Sequence, residues 1–310
     1  MRIFILAIKD GPTWACDNIY SDWKSFLPNT LSKLADCDII WLLSNWQWRS
    51  IPLEFLQNKK VVCTIHHIVE DKFDYENFLA RDKFVNAYHV PCEITKNILS
   101  KHTNKNITVL PYWYVAKNWT KQSNKELLKS KYRLPIDKLL IGSFQRDTEG
   151  SDLKSPKLEK GPDLFCDIIE NLSLKPHVIL TGWRRNYVIN RLERKNISYS
   201  YFELADFKTM NDLYNCLDYY LITSRVEGGP QALLEGLASG VKVLSSKVGM
   251  SPEVLPDAQL CENVDDFRNI IEKEKSDNIN SRNHENYEFD KVSKLYLNFF
   301  KTLHENFSVL

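Results

Sequence analysis

The sequence carries no excess of either charge: 41 Lys and Arg face 40 Asp and Glu across 310 residues. A dedicated nucleic-acid binder usually shows a strong basic excess, so no nucleic-acid partner is expected. The composition is not that of a disordered chain either, with 43% hydrophobic and 26% charged residues. No apolar run approaches the ~20 residues that a membrane span needs. The opening stretch Met1–Ile8 is apolar, but no small-residue cleavage site follows it, so it reads as a first β-strand and not as a secretory signal. The seven cysteines form no Cys-x-x-Cys pair and no Cys/His cluster with zinc spacing. Scattered thiols of this kind suit a reducing compartment. A cytoplasmic location is therefore expected, at most with weak peripheral contact at the inner face of the membrane. The loops of a dehydrogenase or a P-loop NTPase are missing, since neither Gly-x-Gly-x-x-Gly nor Walker A occurs.

What is present is alternation. At about 150 residues per domain the length suggests two domains. Short apolar, β-rich runs recur at 3–8, 38–43, 60–65, 85–90 and 107–110, and again at 138–144, 177–181, 198–202, 218–223, 241–244 and 258–261. Helical patterns fill most of the gaps, among them 93–101, 162–172, 208–217 and 230–239. Such alternation predicts parallel sheets covered by helices on both faces. Eleven strands are many for one open sheet, so the fold class expected is α/β with two doubly wound, Rossmann-like domains. The polar stretch 117–134 is the natural junction, giving domains 1–116 and 135–284. In 285–310, Val292, Leu295, Tyr296, Phe299, Phe300 and Leu303 repeat at helical spacing and predict an amphipathic helix packed on a domain.

The most informative stretch runs from Thr223 to Leu244. An apolar strand ends at Thr223, a Gly228-Gly229 turn follows, and Pro230 fits the first position of a helix. That helix runs to Gly240, a C-cap residue, before a new strand. Two adjacent glycines let a ligand approach the backbone. The helix start offers free N–H groups suited to phosphate. Glu227 precedes the helix and Glu235 lies on its second turn, and carboxylates accept hydrogen bonds from the paired hydroxyls of sugars and ribose.

Ser224, Glu227, Gly228, Leu234, Glu235, Ala238 and Gly240 resemble the Glu-x7-Glu signature of retaining glycosyltransferases of the GT-B fold, family-4 type (glycosyl transferases group 1). The resemblance implies two domains facing a cleft, a C-terminal helix that crosses back to the N-terminal domain, an acceptor-side domain first and a nucleotide-sugar domain second. It implies that Glu227 holds hydroxyls of the donor sugar, that Glu235 holds the ribose, and that Gly228, Gly229 and Pro230 lie near the diphosphate. The family ends its first C-domain strand with Gly-Arg and opens the next helix with Lys-Gly. Here Gly142-Ser143, implied to be donor-binding, is followed by Arg146, and Lys160-Gly161 comes later. Arg146 and Lys160 are thus the implied diphosphate cations, with Lys154 and Lys157 as alternatives between them. Gly182, after another strand, is implied to border the nucleobase.

In the first half, Val61-Val62-Cys63-Thr64-Ile65-His66-His67 is similar to the family's Thr-x-His at a strand end. The match makes His66 the residue that contacts the reacting sugar, with His67 as the neighbour that can exchange roles. Gly11 and Trp14 fall in the loop after the first strand, where the family handles phosphate and acceptor. Seven of eight tryptophans precede residue 120. Aromatic faces suit sugar rings, so Trp14, Trp46, Trp48 or Trp113 are candidates to line an acceptor surface. Asp36-Cys37-Asp38 spells Asp-x-Asp, but at a helix-to-strand junction far in sequence from the donor residues. No metal site and no cofactor are expected.

The expected reaction moves a sugar, with retention, from a UDP- or GDP-type sugar to a hydroxyl of a glycan or lipid-linked acceptor, in bacterial-type glycan or polysaccharide synthesis. No protein partner is expected. Two rival readings share the fold: another GT-B enzyme (a sugar-nucleotide epimerase or phosphorylase), or a non-catalytic binder of nucleotide sugars or glycans.

Overall fold

The computed structural model describes residues 1–9, 15–273 and 284–305. Gly11 and Trp14 lie outside the described residues. The chain divides into two compact units: Met1–Tyr112 with Phe289–Leu310, and Trp113–Glu288.

Unit 1 contains, in order, β1 (Ile3–Leu6), α1 (Ala15–Phe26), β2 (Ile39–Leu42), α2 (Leu53–Asn58), β3 (Lys60–Thr64), α3 (Tyr75–Asp82), β4 (Ala87–Val90), α4 (Glu93–Leu99) and β5 (Asn106–Val109). All five strands are parallel in the order β1-β2-β3-β4-β5. A sequential order with right-handed crossovers would put every helix on one face. A single bridge prevents this. Leu31 pairs with Ile3 on the edge of β1 away from β2, and Ser32 N–H donates to the Ile3 carbonyl at 3.0 Å. The chain thus leaves β1 one way, reaches Leu31, and returns past β1 to β2. The reversal is a switch point, with the sixth strand reduced to one residue. It sends α1 to one face, where Trp23 packs edge-on to Trp41 at 5.3 Å. The other face carries Ile40, Leu42, Val61, Cys63, Tyr88 and Val90 under Leu56, Phe78 and Leu99 of α2–α4.

Unit 2 contains α5 (Lys125–Lys131), β6 (Leu140–Phe144), α6 (Pro162–Asn171), β7 (His177–Thr181), α7 (Asn186–Arg194), β8 (Tyr199–Phe202), α8 (Phe207–Cys216), β9 (Tyr219–Ile222), α9 (Gln231–Ala238), β10 (Lys242–Ser246), α10 (Ser251–Val254), β11 (Leu260–Cys261) and α11 (Val264–Lys273). Its sheet is wholly parallel in the order β11-β10-β9-β6-β7-β8, the Rossmann order read from its far edge. The chain builds outward from β6 to β8, then returns through α8 to β9 on the opposite side of β6. Strands such as Leu140–Phe144 and Tyr219–Ile222 are buried along their whole length. Burial on both faces is why they read as unbroken apolar runs. The carboxyl ends of β6 and β9 flank the switch point.

The last helix, α12 (Phe289–Glu305), belongs to unit 1. Phe289, Tyr296 and Phe300 surround Trp23 with ring centroids 5.9–6.5 Å away. Tyr296 and Phe300 also cover Trp41, on the face that α1 alone leaves open.

Residues 117–134 are not a linker. They fold into unit 2, because their polar groups are partners for α8 and β9. Asn211 and Asn215 accept from the backbone N–H groups of Thr120 and Gln122 at 3.0 and 2.7 Å. Lys125 and Lys131 pair with Asp218 and Asp212 at 2.7 and 2.6 Å. The unit boundaries accordingly fall at 112/113 and 288/289 rather than at 116 and 284.

Candidate active site

The site in unit 2 is assembled where the loop after β6 meets the loop after β9. Lys160 closes a 3-10 turn (Leu158–Lys160), and Gly161, the N-cap of α6, is in the left-handed region at φ +59°. A β-carbon on Gly161 would lie 1.8 Å from the Thr223 carbonyl oxygen, so only glycine lets the two loops touch. The contact is then stitched. Thr223 Oγ1 donates to the Gly161 carbonyl at 2.9 Å, and the Arg225 and Val226 amides donate to the Glu159 carbonyl at 2.8 and 3.1 Å. Arg225 grips Asp163 of α6 through two bonds of 2.7–2.8 Å. The result is the placement of Lys160 Nζ 2.5 Å from Glu227 Oε1, which also accepts from Ser224 Oγ at 2.9 Å. The pair is partly buried, at 25% and 10% side-chain exposure.

Two further cations crowd this pair. The loop 147–157 folds back on itself: Thr148 bridges Pro156, and the Lys157 amide donates to the Asp147 carbonyl at 2.8 Å. Lys157 is thereby held near Lys160 and Arg146. Burial first, and then those two charges, push its ammonium below the usual lysine range. Arg146 lies over the Trp183 ring at 5.3 Å and donates through Nε to the Thr148 carbonyl at 2.7 Å. Burial, then the charge of Arg184, lower its pKa. Lys154 instead sits in an exposed turn whose amide is held by Asp152. Of the two alternatives between Arg146 and Lys160, the structure brings Lys157 to the cluster and leaves Lys154 outside it.

The neighbouring candidates are placed as follows. Glu235, on α9, accepts from the buried Tyr214 hydroxyl at 3.2 Å. Gly228 is buried; a β-carbon on Gly249, in the loop after β10, would fall 2.3 Å from its carbonyl oxygen. Gly229 is half-buried. Pro230 is the N-cap of α9, one residue before the helix, because its ψ of 111° is extended; the first helical residue is Gln231. Gly182 adopts φ +96° against Gln145, whose side chain donates to the Lys160 carbonyl at 2.9 Å.

Gly142 and Ser143 are corrected from donor-binding candidates to interior residues of β6. A β-carbon at Gly142 would strike Leu217 at 2.3 Å. The Ser143 side chain is 1% exposed, and its hydroxyl accepts from Arg185 Nη2 at 3.2 Å. Sequence reasoning missed Arg185. Its buried guanidinium also donates to the Ser143 and Thr181 carbonyls at 2.5 and 3.0 Å and to Asp147 Oδ2 at 3.1 Å. Asp147 in turn accepts from the Tyr187 and Val188 amides at the start of α7. Arg185 thus braces the end of β6 at Ser143 from the loop after β7, as a buried group. The only trace in the sequence is the doublet Arg184-Arg185 after a strand.

In unit 1, His66 follows β3 at the carboxyl edge of the sheet. Its Nε2 faces the Leu43 carbonyl at 2.8 Å and so carries the proton, leaving Nδ1 to accept from the Tyr112 hydroxyl. Cys16 Sγ lies 3.3 Å from Nε2. Burial lowers the His66 pKa to about 4, so the ring is a neutral, oriented hydrogen-bonding group and not a base poised near neutrality. His67 is exposed. Trp48 and Trp113 are buried, whereas Trp46 is 47% exposed. In the Asp-x-Asp stretch, Asp38 accepts from the Arg2 amide at 2.7 Å and Cys37 is fully buried. Among the described residues no three His, Cys, Asp or Glu side chains are grouped to hold a metal ion, and no helix is long and apolar enough to cross a membrane.

His66 and the buried His89, whose pKa burial lowers to about 3, set an acid limit on stability. The unfolded chain protonates each near pH ~6.5, while the folded chain refuses the proton until about 4 and about 3. Stability is therefore lost as pH falls below about 6.5, at about 1.4 kcal/mol per pH unit for each histidine. Urea midpoints measured from about pH 7 down to about 4.5 should decline, and less steeply in His66→Asn. A midpoint independent of pH over that window would contradict the assignment.

Two parallel Rossmann-like units in one chain, one with a cation–carboxylate site at its switch point, define the class: this is the GT-B architecture of glycosyltransferases. Residues 153–273, which carry Lys157, Lys160, Glu227 and Glu235, match the family model of glycosyl transferases group 1. The structure is similar to HepE of Anabaena solved with UDP (TM-score 0.73, 12% identity, 97% of this chain and 100% of that one). It is also similar to sucrose-phosphate synthase from Thermosynechococcus elongatus (TM-score 0.67, 12% identity, 93% and 77%). A third similar structure is S. aureus TarM in complex with Fondaparinux, alpha-GlcNAc-glycerol and UDP (TM-score 0.62, 17% identity, 84% and 55%). At these identities the likeness is one of fold. No curated protein matches the chain in sequence.

Proposed function

We propose that this chain is a retaining glycosyltransferase that transfers a sugar from a nucleotide-diphosphate sugar to an acceptor hydroxyl, without an essential metal, in glycan or polysaccharide synthesis of the bacterial type. The observation that carries the reading is the Lys160–Glu227 pair at the switch point of unit 2, with Lys157 and Arg146 beside it. Three cations crowded against one another favour a polyanion, and a diphosphate supplies one. A carboxylate held by Lys160 and Ser224 favours sugar hydroxyls. Glu235, further along α9, is assigned to the ribose, and the Gly228 and Gly229 amides to the diphosphate.

In the proposed step the bond between the anomeric carbon and the diphosphate oxygen breaks, and a bond to the acceptor oxygen forms on the same face. The acceptor proton passes to the departing phosphate oxygen. Lys160, Arg146 and Lys157 stabilise the charge that grows on the leaving group, which is the role a metal ion would otherwise fill. His66, the residue the resemblance assigns to the transferred sugar, is a neutral ring at pH 7. Its two nitrogens already have protein partners, so it is not assigned a proton. UDP is the first nucleotide to test, because two of the similar structures named above were solved with it.

The test is a thermal-shift panel of UDP, GDP and their sugars on the whole chain, followed by NMR of the product. A ligand at about 100 times its Kd should add about 2.7 kcal/mol of stability. Product should form only when acceptor is present, and with the anomeric configuration of the donor. Product formed without acceptor would favour the epimerase or phosphorylase reading. Donor binding without turnover would favour a binder, and an inverted product would remove the claim of retention.

A further inference from the structure

Two deeply buried aromatic side chains of unit 2 carry hydroxyls that packing does not require. Tyr214, on α8, and Tyr220, on β9, are 0% and 2% exposed. With Phe144 they form a triad of rings whose centroids lie 4.7–5.3 Å apart. Trp119 meets Tyr214 edge-on at 5.7 Å. Phenylalanine would fill the same space with no polar atom to satisfy, whereas a buried hydroxyl costs stability unless it is hydrogen-bonded.

The hydroxyls form one chain. The Phe144 amide donates to the Tyr220 oxygen at 3.2 Å, the two tyrosine hydroxyls bond to each other, and the Tyr214 hydroxyl reaches Glu235 Oε2 at 3.2 Å. The two ends fix the direction of every proton. An amide N–H only donates and a carboxylate only accepts, so Tyr220 donates to Tyr214 and Tyr214 donates to Glu235. Bonds aligned in one direction polarise and strengthen one another. The chain therefore ties a half-buried carboxylate on α9 to the end of a central strand, β6. Ser239 Oγ donates to Asn211 Oδ1 at 2.9 Å and fastens the end of α9 to α8, which fixes Tyr214 against Glu235.

We propose that Tyr214 is a positioning residue for the nucleotide: it holds Glu235 in the orientation that accepts both ribose hydroxyls, with Tyr220 supporting it from behind, so that the site selects ribonucleotides over deoxyribonucleotides. This rests on the glycosyltransferase reading, which assigns Glu235 to the ribose, and adds what sets the direction of that carboxylate. A glutamate side chain loses much rotamer freedom when it is ordered. Anchoring Oε2 on Tyr214 orders the carboxylate before the nucleotide arrives, and preorganisation of this kind raises affinity. Each carboxylate oxygen has room for two bonds, so Oε2 keeps Tyr214 while it accepts from a ribose hydroxyl.

The whole chain is titrated with UDP, GDP and the 2′,3′-dideoxy form of each, as wild type, Tyr214→Phe, Tyr220→Phe, Glu235→Gln and the double variant Tyr214→Phe/Glu235→Gln. Thermal unfolding without nucleotide checks the fold of each. The nucleotide that binds should bind the wild type about tenfold or more tighter than its dideoxy form, which lacks the hydroxyls that bond the carboxylate. Tyr214→Phe should weaken it about tenfold, the scale of one hydrogen bond to a charged group, and leave the dideoxy Kd within about twofold. Tyr220→Phe, one step further from the carboxylate, should show the same selectivity at about threefold. The double variant should bind no more weakly than Glu235→Gln, because Tyr214 acts through Glu235. A merely structural role would weaken both forms alike. Equal losses for the two forms in a folded Tyr214→Phe, unchanged nucleotide binding there, or a further loss in the double variant would overturn the proposal. If Tyr214→Phe does not fold, equal losses in Tyr220→Phe would overturn it. A wild type that binds both forms alike would remove the ribose role of Glu235 and this proposal with it, while the glycosyltransferase reading stands. A wild type that binds no nucleotide would remove that reading as well.

Discussion

Lys160→Ala is expected to lower transfer turnover by about 10²–10³-fold, the range found when one preorganised charge stabiliser is removed from a transition state. The ammonium is aimed by a contact between two loops. Gly161 lets the loop after β6 touch the loop after β9, and the Thr223, Arg225 and Val226 bonds lock that contact. Lys160 also holds Glu227 at 2.5 Å, so the variant loses the cation and loosens the carboxylate proposed to hold the sugar together. Folding should be little affected. At 25% exposure the lysine is not deeply buried, and partly exposed ion pairs contribute only about 0–1 kcal/mol. Lys157→Ala should cost less, about tenfold, because Lys160 and Arg146 remain beside it and the Lys160–Glu227 pair is kept. Lys160→Arg should recover part of the loss, since it restores charge without the point geometry of an ammonium. Initial rates at saturating donor, read alongside thermal unfolding, decide the matter. A Lys160→Ala enzyme within threefold of wild type and normally folded would remove Lys160 from the mechanism.

Much of this was legible beforehand, for reasons that can be named. Parallel strands covered on both sides appear as apolar runs, so eleven of them could be placed from hydropathy. The Thr223–Leu244 stretch announces its own turns through Gly228, Gly229 and Gly240. Where reading failed, the deciding contact was long-range. Leu31 forms a strand of one residue, and no pattern marks it, yet it sets the winding of unit 1. Residues 117–134 look like a linker because their polar groups, seen alone, belong in water; in the fold they meet Asn211, Asp212, Asn215 and Asp218. The cluster at Lys157 depends on the turn around Asp152, which folds the 147–157 loop back by more than a simple count of residues conveys. Ser143 looked like a substitution that emptied a cationic position. In the fold its hydroxyl is a buried acceptor for Arg185, forty-two residues further on.

Arg185→Ala is expected to destabilise the chain by about 3–5 kcal/mol, the cost of removing one partner from a buried ion pair. Both side chains are at 0% exposure. Burial pushes the Asp147 carboxyl above the usual range even with the guanidinium beside it, and Arg185 is the largest influence in the opposite direction. Without Arg185 that carboxylate must take up a proton or remain uncompensated, and the Ser143 and Thr181 carbonyls lose their donor as well. Asp147→Asn should also be destabilising, because Tyr187 and Val188 donate to different carboxylate oxygens and the amide keeps only one, while Arg185 loses its counter-charge. The double variant should be less destabilised than the two single effects added together, since neither partner is then left alone. Turnover should fall in Arg185→Ala even under conditions where the protein stays folded. The brace lies beneath Arg146, adjacent to Asp147, and holds the ends of β6 and β7 together through Ser143 and Thr181. Urea unfolding of the three variants measures the coupling. A loss below about 1 kcal/mol in Arg185→Ala, or strict additivity in the double variant, would show that the pair does not act as a unit.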